Sequence, residues 1–362
     1  MINRKTPLYE AHIASGGRMT EYCGWLLPIM YTGILEERRA VRSAAGLFDV
    51  SHMGRFLLEG AGATGFLERV VTNRVSGAGV GRAVYTPVCN ERGGTVDDII
   101  AYREGADIWM LVVNAANREK DFAWFANSLP VGVRLTDISD STAQLALQGP
   151  LALAIAEGYF HADIKPIKEY SFTYAGFQGE RLLISRTGYT GERGVEIYLP
   201  ARLALVIWEG LLTGYAPEGL VPCGLGSRDL LRFEACMPLY GHELSEDITP
   251  LEAGLGRFVD FDKPDFTGKA ALAAQKDAPH RRRIGLRLAG RNIAREGCAV
   301  YCCGEPAGYV TSGSFSPVAQ AGLAMALADA PFAERDEFEV DIRGKRVDAV
   351  KEAMPFYKRA KR

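Results

Sequence analysis

Across residues 34–45 apolar positions at Ile34, Leu35 and Val41 are set among acidic and basic ones, which predicts a helix, and Gly46 behind it reads as a left-handed stop. Phe48, Val50, Met53, Phe56 and Leu58 follow as one extended run ending at Gly60, and residues 64–71 predict a second helix. A hairpin is signalled next, by residues 85–90, a turn at Gly93-Gly94 and a returning strand over 95–102. The apolar run from Trp109 to Asn114 predicts a buried strand, after which Asn117 can cap a helix over 118–128 that Pro130 ends. A strand over 143–148 is stopped by Gly149-Pro150 and followed by a short helix through Glu157. Further strands are predicted near 171–174, 181–186 and 195–199, and helices at 203–212 and 228–235. This mixed order predicts an α+β body rather than a strictly alternating parallel sheet. From His280 the pattern changes to short strands at 284–288, 299–302, 309–312 and 337–342, which predicts a small all-β barrel or sandwich behind a linker at 276–280.

Length and composition narrow the class. A chain of 362 residues exceeds the usual single core, so two or three domains are expected. With 48% hydrophobic and 24% charged residues it can bury real cores and keep a polar surface, which excludes disorder of the whole chain. A net charge of −2 carries no polyelectrolyte signature, and Arg281-Arg282-Arg283 is too short and isolated to argue for nucleic acid; it reads as a solvated strand edge. The first residues are basic but lack a following apolar segment, and no stretch approaches a membrane-spanning length, so a cytoplasmic protein is expected. The seven cysteines are scattered without a Cys-x-x-Cys pair, which fits reduced thiols better than a metal site. A vicinal disulfide at Cys302-Cys303 would be strained, and that pair reads as incidental.

Four places can carry chemistry. Gly60-Ala61-Gly62-Ala63-Thr64-Gly65 matches a dinucleotide fingerprint, but no acidic residue follows about 20 positions on, so a plain turn is the better reading. Asp98 shares a strand face with Val96, Ile100 and Tyr102, where a carboxylate must be bonded, paired or shifted in pKa; a hairpin acid pointing into water is the alternative. In Gly188-Tyr189-Thr190-Gly191-Glu192-Arg193-Gly194-Val195-Glu196 three glycines let the backbone approach something flat, and Glu196 can accept two hydrogen bonds from an amino-substituted heterocycle or stand as a surface acid. Ser227 reads as the N-cap of a helix with Arg228 in its first turn, a poor place for a cation unless it is aimed at a carboxylate elsewhere. His52 and His242 look best embedded of the five histidines, and none has a nucleophile partner, which argues against triad hydrolysis.

Taken in order, several stretches resemble the aminomethyltransferase (T protein) family of the glycine cleavage system across nearly the whole chain. They include Thr6-Pro7-Leu8-Tyr9, Gly46-Leu47-Phe48-Asp49-Val50-Ser51-His52-Met53-Gly54, Asn90-Glu91 through Asp97-Asp98, and Val113-Asn114-Ala115-Ala116-Asn117. Leu147-Gln148-Gly149-Pro150, Ser185-Arg186-Thr187-Gly188-Tyr189-Thr190-Gly191-Glu192 and Met237-Pro238-Leu239-Tyr240-Gly241 continue the series. The resemblance implies an α+β, three-lobed cloverleaf of antiparallel and mixed sheets with helices, plus a C-terminal all-β barrel. It divides the chain into a folate-binding region over 1–275, of two interleaved lobes, and a barrel over 280–362. It further implies transfer of the methylene of an S-aminomethyl-dihydrolipoyl H protein to tetrahydrofolate, with release of ammonia. By the same implication Asp98 is the catalytic carboxylate and Glu196 the pterin-recognising acid. Tyr85, Val112 and Asn114 would line the ring pocket, Arg228 would face the glutamate tail or support the site, and Met53 and Tyr189 would be wall residues. The chain departs from the family pattern in Gly24-Trp25-Leu26-Leu27-Pro28, which lacks the polar residue after Trp, in Arg38 after Glu37, and in its basic end Lys358-Arg359-Ala360-Lys361-Arg362. A folate-dependent demethylase of the same fold is the competing enzyme. A non-enzymatic folate-binding factor for iron–sulfur assembly is the competing binder, and the cysteine-free Thr187-Gly188-Tyr189 argues against it.

Overall fold

A computed structural model describes residues 3–360. Met1 and Ile2, within the basic amino-terminal stretch, and Lys361 and Arg362 of the basic end lie outside the described residues. The chain divides into two compact units, one of Met1–Leu67, Val75–Tyr85 and Ile99–Leu231, the other of Glu68–Arg74, Thr86–Asp98 and Arg232–Arg362.

The first unit is built on a six-stranded sheet in the order Phe172–Phe177, Glu180–Ser185, Gly194–Pro200, Thr142–Gln148, Ala45–Asp49, Leu220–Cys223. Its pairings are antiparallel except the last, where Leu220–Cys223 runs parallel to Ala45–Asp49. On one face Leu145, Leu147, Val195, Ile197 and Leu199 pack with Ile155 and Trp208 of the helices Ala152–Phe160 and Ala204–Tyr215. Period-two alternation sends Gln144, Gln148, Glu196 and Tyr198 to the other face, and all four are buried there as well. Polar groups buried in this way must be bonded to one another or to a ligand. A five-stranded sheet has the order Ala83–Cys89, Thr95–Gly105, Ile108–Val113, Gly54–Glu59, Arg134–Asp137, and from its first-unit residues Ala83, Tyr102, Met110 and Val112 form a cluster with Leu183 and Tyr198.

Three local expectations are corrected. The run from Phe48 to Gly60 is two strands in different sheets, Ala45–Asp49 and Gly54–Glu59, because the Asp49 carboxylate accepts the Ser51 N–H at 2.9 Å and Met53 N–H donates to Val50 O at 3.2 Å, closing a turn. Gly46 is not a helix stop: the helix is Ile34–Ser43 and Gly46 lies in the strand, where a Cβ would come within 2.5 Å of Val41 Cγ2 and 2.6 Å of Cys223 Sγ. Ser227 is not an N-cap either, since the helix starts two residues earlier and spans Leu225–Glu234. A carboxylate from another helix takes over that end: Glu37 Oε2 accepts from Gly224 N and from Ser227 Oγ, both at 2.8 Å, while its Oε1 accepts from Tyr31 N at 2.5 Å.

The second unit contains a closed barrel in the order Arg282–Leu288, Ala321–Ala328, Glu305–Ser316, Ala299–Cys302, Glu337–Ile342, Lys345–Glu352. Two of these strands escape an alternation search. Ala321–Ala328 is buried at all eight positions, with Ala324 and Ala326 facing the barrel core and Leu323 and Met325 packing outward on Phe233 and Cys236. Lys345–Glu352 buries only Val347 and Ala349. The arginine triplet is not merely solvated: Arg281 donates to Glu252 at 2.8 Å, Arg282 to Glu334 at 2.6 Å and Arg283 to Cys236 O at 3.0 Å. All seven cysteines are free thiols, with Cys302 and Cys303 Sγ atoms 3.9 Å apart. Among the described residues no helix is long and apolar enough to cross a membrane.

Candidate functional site

The fingerprint glycines form a turn already satisfied from within the chain. Gly60 and Gly62 have φ of 115° and 94°, and a Cβ on Gly60 would fall 2.1 Å from Gly132 O. Asp107 Oδ1 accepts the Thr64 N–H at 3.1 Å, so the N-terminus of the Ala63–Val70 helix, where a phosphate would sit, already holds a carboxylate.

Glu196 is the best-defined candidate. It lies mid-strand, opposite Ala146 on one side and Ser185 on the other, and is 5% exposed. Its Oε2 accepts from Thr187 Oγ1 at 2.5 Å and its Oε1 from Gln144 Nε2 at 3.2 Å. Gln144 Nε2 also donates to the Tyr198 hydroxyl at 3.2 Å, and its Oε1 is buried without a partner. The place is thus rich in acceptors, and each carboxylate oxygen keeps a lone pair beyond the one bond it already takes. Val112 and Tyr198 belong to one apolar cluster against which Met53 packs half-buried, giving this acid an apolar wall.

Arg228 and Tyr189 form a second group in the same unit, with the guanidinium carbon 4.9 Å from the ring centroid. Arg228 Nη1 is buried and has no hydrogen-bond partner, so the group offers a donor that an anion would satisfy. Its charge is felt nearby: burial first and Arg228 second push the His52 imidazole down to about 3, leaving it neutral. Burial pushes the Tyr22 phenol up to about 12, with Arg228 pulling in the opposite sense, and Tyr22 lies edge-on to His52 at 5.9 Å between centroids. The loop carrying Tyr189 is anchored by Arg42, which donates to Thr190 O at 2.7 Å and Glu192 Oε1 at 3.0 Å.

The other candidates are placed as follows. Asp98 stands in the Thr95–Gly105 strand and is half-buried, whereas Asp97 beside it is fully buried. Tyr85 is half-buried in the Ala83–Cys89 strand, and Asn114 is half-buried just ahead of the short helix Ala115–Asn117. Among the histidines, His12 is the most deeply buried: its Nε2 lies 2.9 Å from Asp49 Oδ2 and its Nδ1 2.8 Å from the Tyr31 hydroxyl. His242 is half-buried, 3.1 Å from Thr311 O. Sequence reasoning missed Gln144, Tyr102, Thr187 and Tyr198 as neighbours of Glu196. The signal that marks them is a glutamine at an alternate position of an apolar strand and a tyrosine two residues after the acid.

Comparison with known proteins identifies the family. The GCVT N-terminal domain family matches residues 8–263, and the glycine cleavage T-protein C-terminal barrel domain family matches residues 281–358. An aminomethyltransferase of Desulforamulus reducens is 46% identical over 358 residues, covering 98% of this chain and of that one. One of Geobacillus thermodenitrificans is 47% identical over 362 residues, covering 99% of each. The crystal structure of the glycine cleavage system aminomethyltransferase T from Bartonella henselae superposes with a TM-score of 0.91 at 32% identity, covering 98% of each chain. On matches of this length, the chain belongs to the glycine cleavage T-protein family of aminomethyltransferases.

Proposed function

We propose that the protein transfers the methylene of an S-aminomethyl-dihydrolipoyl H protein to tetrahydrofolate, giving methylenetetrahydrofolate, dihydrolipoyl protein and ammonia. The observation that carries this reading is the buried Glu196 carboxylate, each of whose oxygens takes a single hydrogen bond from the protein. Its remaining lone pairs, with the orphan Gln144 Oε1, suit the amino and ring N–H donors of a pterin. The orphan Arg228 Nη1 suits the carboxylates of the glutamate tail. Met53, Val112, Tyr85, Asn114 and Tyr189 would complete the walls.

In this reaction the carbon leaves sulfur and nitrogen and bonds to two folate nitrogens, whose two protons end on the thiol and the ammonia. Asp98 is assigned to the reacting edge, where a half-buried carboxylate can orient the acceptor and pass a proton toward the departing amine. No covalent enzyme intermediate is needed, so alignment of the two reactants and exclusion of water supply much of the rate. The lipoylated carrier is the protein partner in this reading, the location is cytoplasmic, and the barrel over 280–362 is taken as a separate domain. Turnover with aminomethylated, lipoylated H protein and tetrahydrofolate is the test. Activity confined to small N-, O- or S-methyl donors would replace the reading with a demethylase.

A further inference from the structure

We propose that Glu196 is oriented by a closed ring of buried hydrogen bonds in which Thr187, Tyr102, Tyr198 and Gln144 act as positioning residues for pterin recognition; this rests on the assignment of Glu196 to the pterin. The ring runs from Glu196 Oε2 to Thr187 Oγ1 at 2.5 Å, on to the Tyr102 hydroxyl at 3.1 Å, to the Tyr198 hydroxyl at 2.9 Å, to Gln144 Nε2 at 3.2 Å and back to Glu196 Oε1 at 3.2 Å. All five side chains are at most 7% exposed, so water does not compete for these bonds.

Proton counting gives the ring a direction. Thr187 has one hydroxyl hydrogen, and the carboxylate at 2.5 Å takes it. With that hydrogen committed, its oxygen is left to accept from the Tyr102 hydroxyl at 3.1 Å. Tyr102 therefore spends its hydrogen on Thr187 and accepts from Tyr198, which in turn accepts from Gln144. Gln144 Nε2 closes the circuit by giving its second hydrogen to Glu196. Both chains of donors end on the carboxylate, which holds it as an acceptor on both oxygens. Burial and the nearby Glu196 charge push both phenols well above their ordinary value of 10, so they remain donors. A carboxylate held in this way cannot rotate to offer one oxygen only, which is the geometry that two parallel N–H donors of a planar heterocycle require.

The test is a double-mutant cycle on the full-length protein, read by calorimetric affinity for tetrahydrofolate and by the split between KM and kcat. Thr187→Val should weaken tetrahydrofolate binding about 10-fold or more, as loss of a hydrogen bond to a charged group does, with kcat at saturation held within about 3-fold. Thr187→Ser should restore the affinity. On a Glu196→Gln background the Thr187→Val effect should vanish, because the group it positions has lost its charge. If Thr187→Val melts too early to assay, Tyr102→Phe reads the same cycle, since it removes the hydroxyl between Thr187 and Tyr198. Glu196→Gln weakening binding while Thr187→Val leaves it unchanged, or equal Thr187→Val losses on both backgrounds, overturns the ring. Unchanged affinity in Glu196→Gln alone overturns the assignment of Glu196 itself.

Discussion

Single side chains in this enzyme are set by what surrounds them more than by their type. Asp49, Asp97, Asp98 and Glu196 are all acids on strands, yet their environments differ. Burial would raise Asp49, but hydrogen bonds and charge from His12, with help from Ser51 and Thr6, outweigh it and hold the carboxyl at about 2. Asp98 alone of the four is half-open, which the proton-passing role proposed for it requires. Replacing it by Asn is expected to keep tetrahydrofolate binding and lower transfer by about 100-fold or more, measured by single-turnover formation of methylenetetrahydrofolate. Near-normal turnover would remove it from the reaction. His52 makes a pH prediction. Its imidazole is held down near 3, whereas the unfolded group titrates at 6.5, so between these values the unfolded chain binds a proton that the folded one does not. The stability that this neutral group contributes is complete above 6.5 and drains away as pH falls toward 3. Unfolding free energies at pH 7 and pH 5, from denaturant titrations, should therefore lie closer together in His52→Asn than in the parent, by up to about 1 kcal/mol per pH unit. Equal spacing in the two proteins would dismiss the idea.

At the level of elements, boundaries are drawn by groups distant in sequence. The start of the Leu225–Glu234 helix is held by Glu37, which accepts from the amide of Gly224, 187 positions away and just ahead of the helix. The same carboxylate holds Tyr31 N and Ser227 Oγ, joining a turn, a helix and a helix end. Glu37→Ala should cost about 2–4 kcal/mol in urea unfolding, since buried donors are left without a partner. Because Arg228 rides on that helix, tetrahydrofolate affinity should fall in the same variant. Stability lost with unchanged affinity would show that the helix end does not place Arg228. The strand Gly194–Pro200 was legible from alternation, and Glu196 with it, because Val195, Ile197 and Leu199 declare one face. Which polar residues meet Glu196 was not legible, because Gln144, Tyr102 and Thr187 come from three other segments brought together only by sheet pairing and packing.

For the molecule as a whole, the barrel shows how closure constrains composition. The Ala321–Ala328 strand puts alanines inside and Leu323 and Met325 outside, since a small closed barrel leaves little room in its centre. Ala326, fully buried and paired between Ile284 and Val310, leaves no space for a larger group. Ala326→Leu should destabilise by about 1–3 kcal/mol in thermal unfolding, and a neutral result would mean the core is looser than drawn. By itself the sequence determined the α+β class, most strands and helices, and the identity of Glu196, Arg228 and Asp98 as groups to watch. Those follow from periodicity and turn chemistry, which act over a few residues, and from an ordered series of short motifs. Only the tertiary structure decided that Phe48 and Phe56 belong to different sheets, that Glu37 holds the start of a helix far along the chain, and that four buried polar side chains close a ring through the Glu196 carboxylate. A buried polar group takes whatever partner the fold brings within 3 Å or so, and sequence spacing carries no record of that distance.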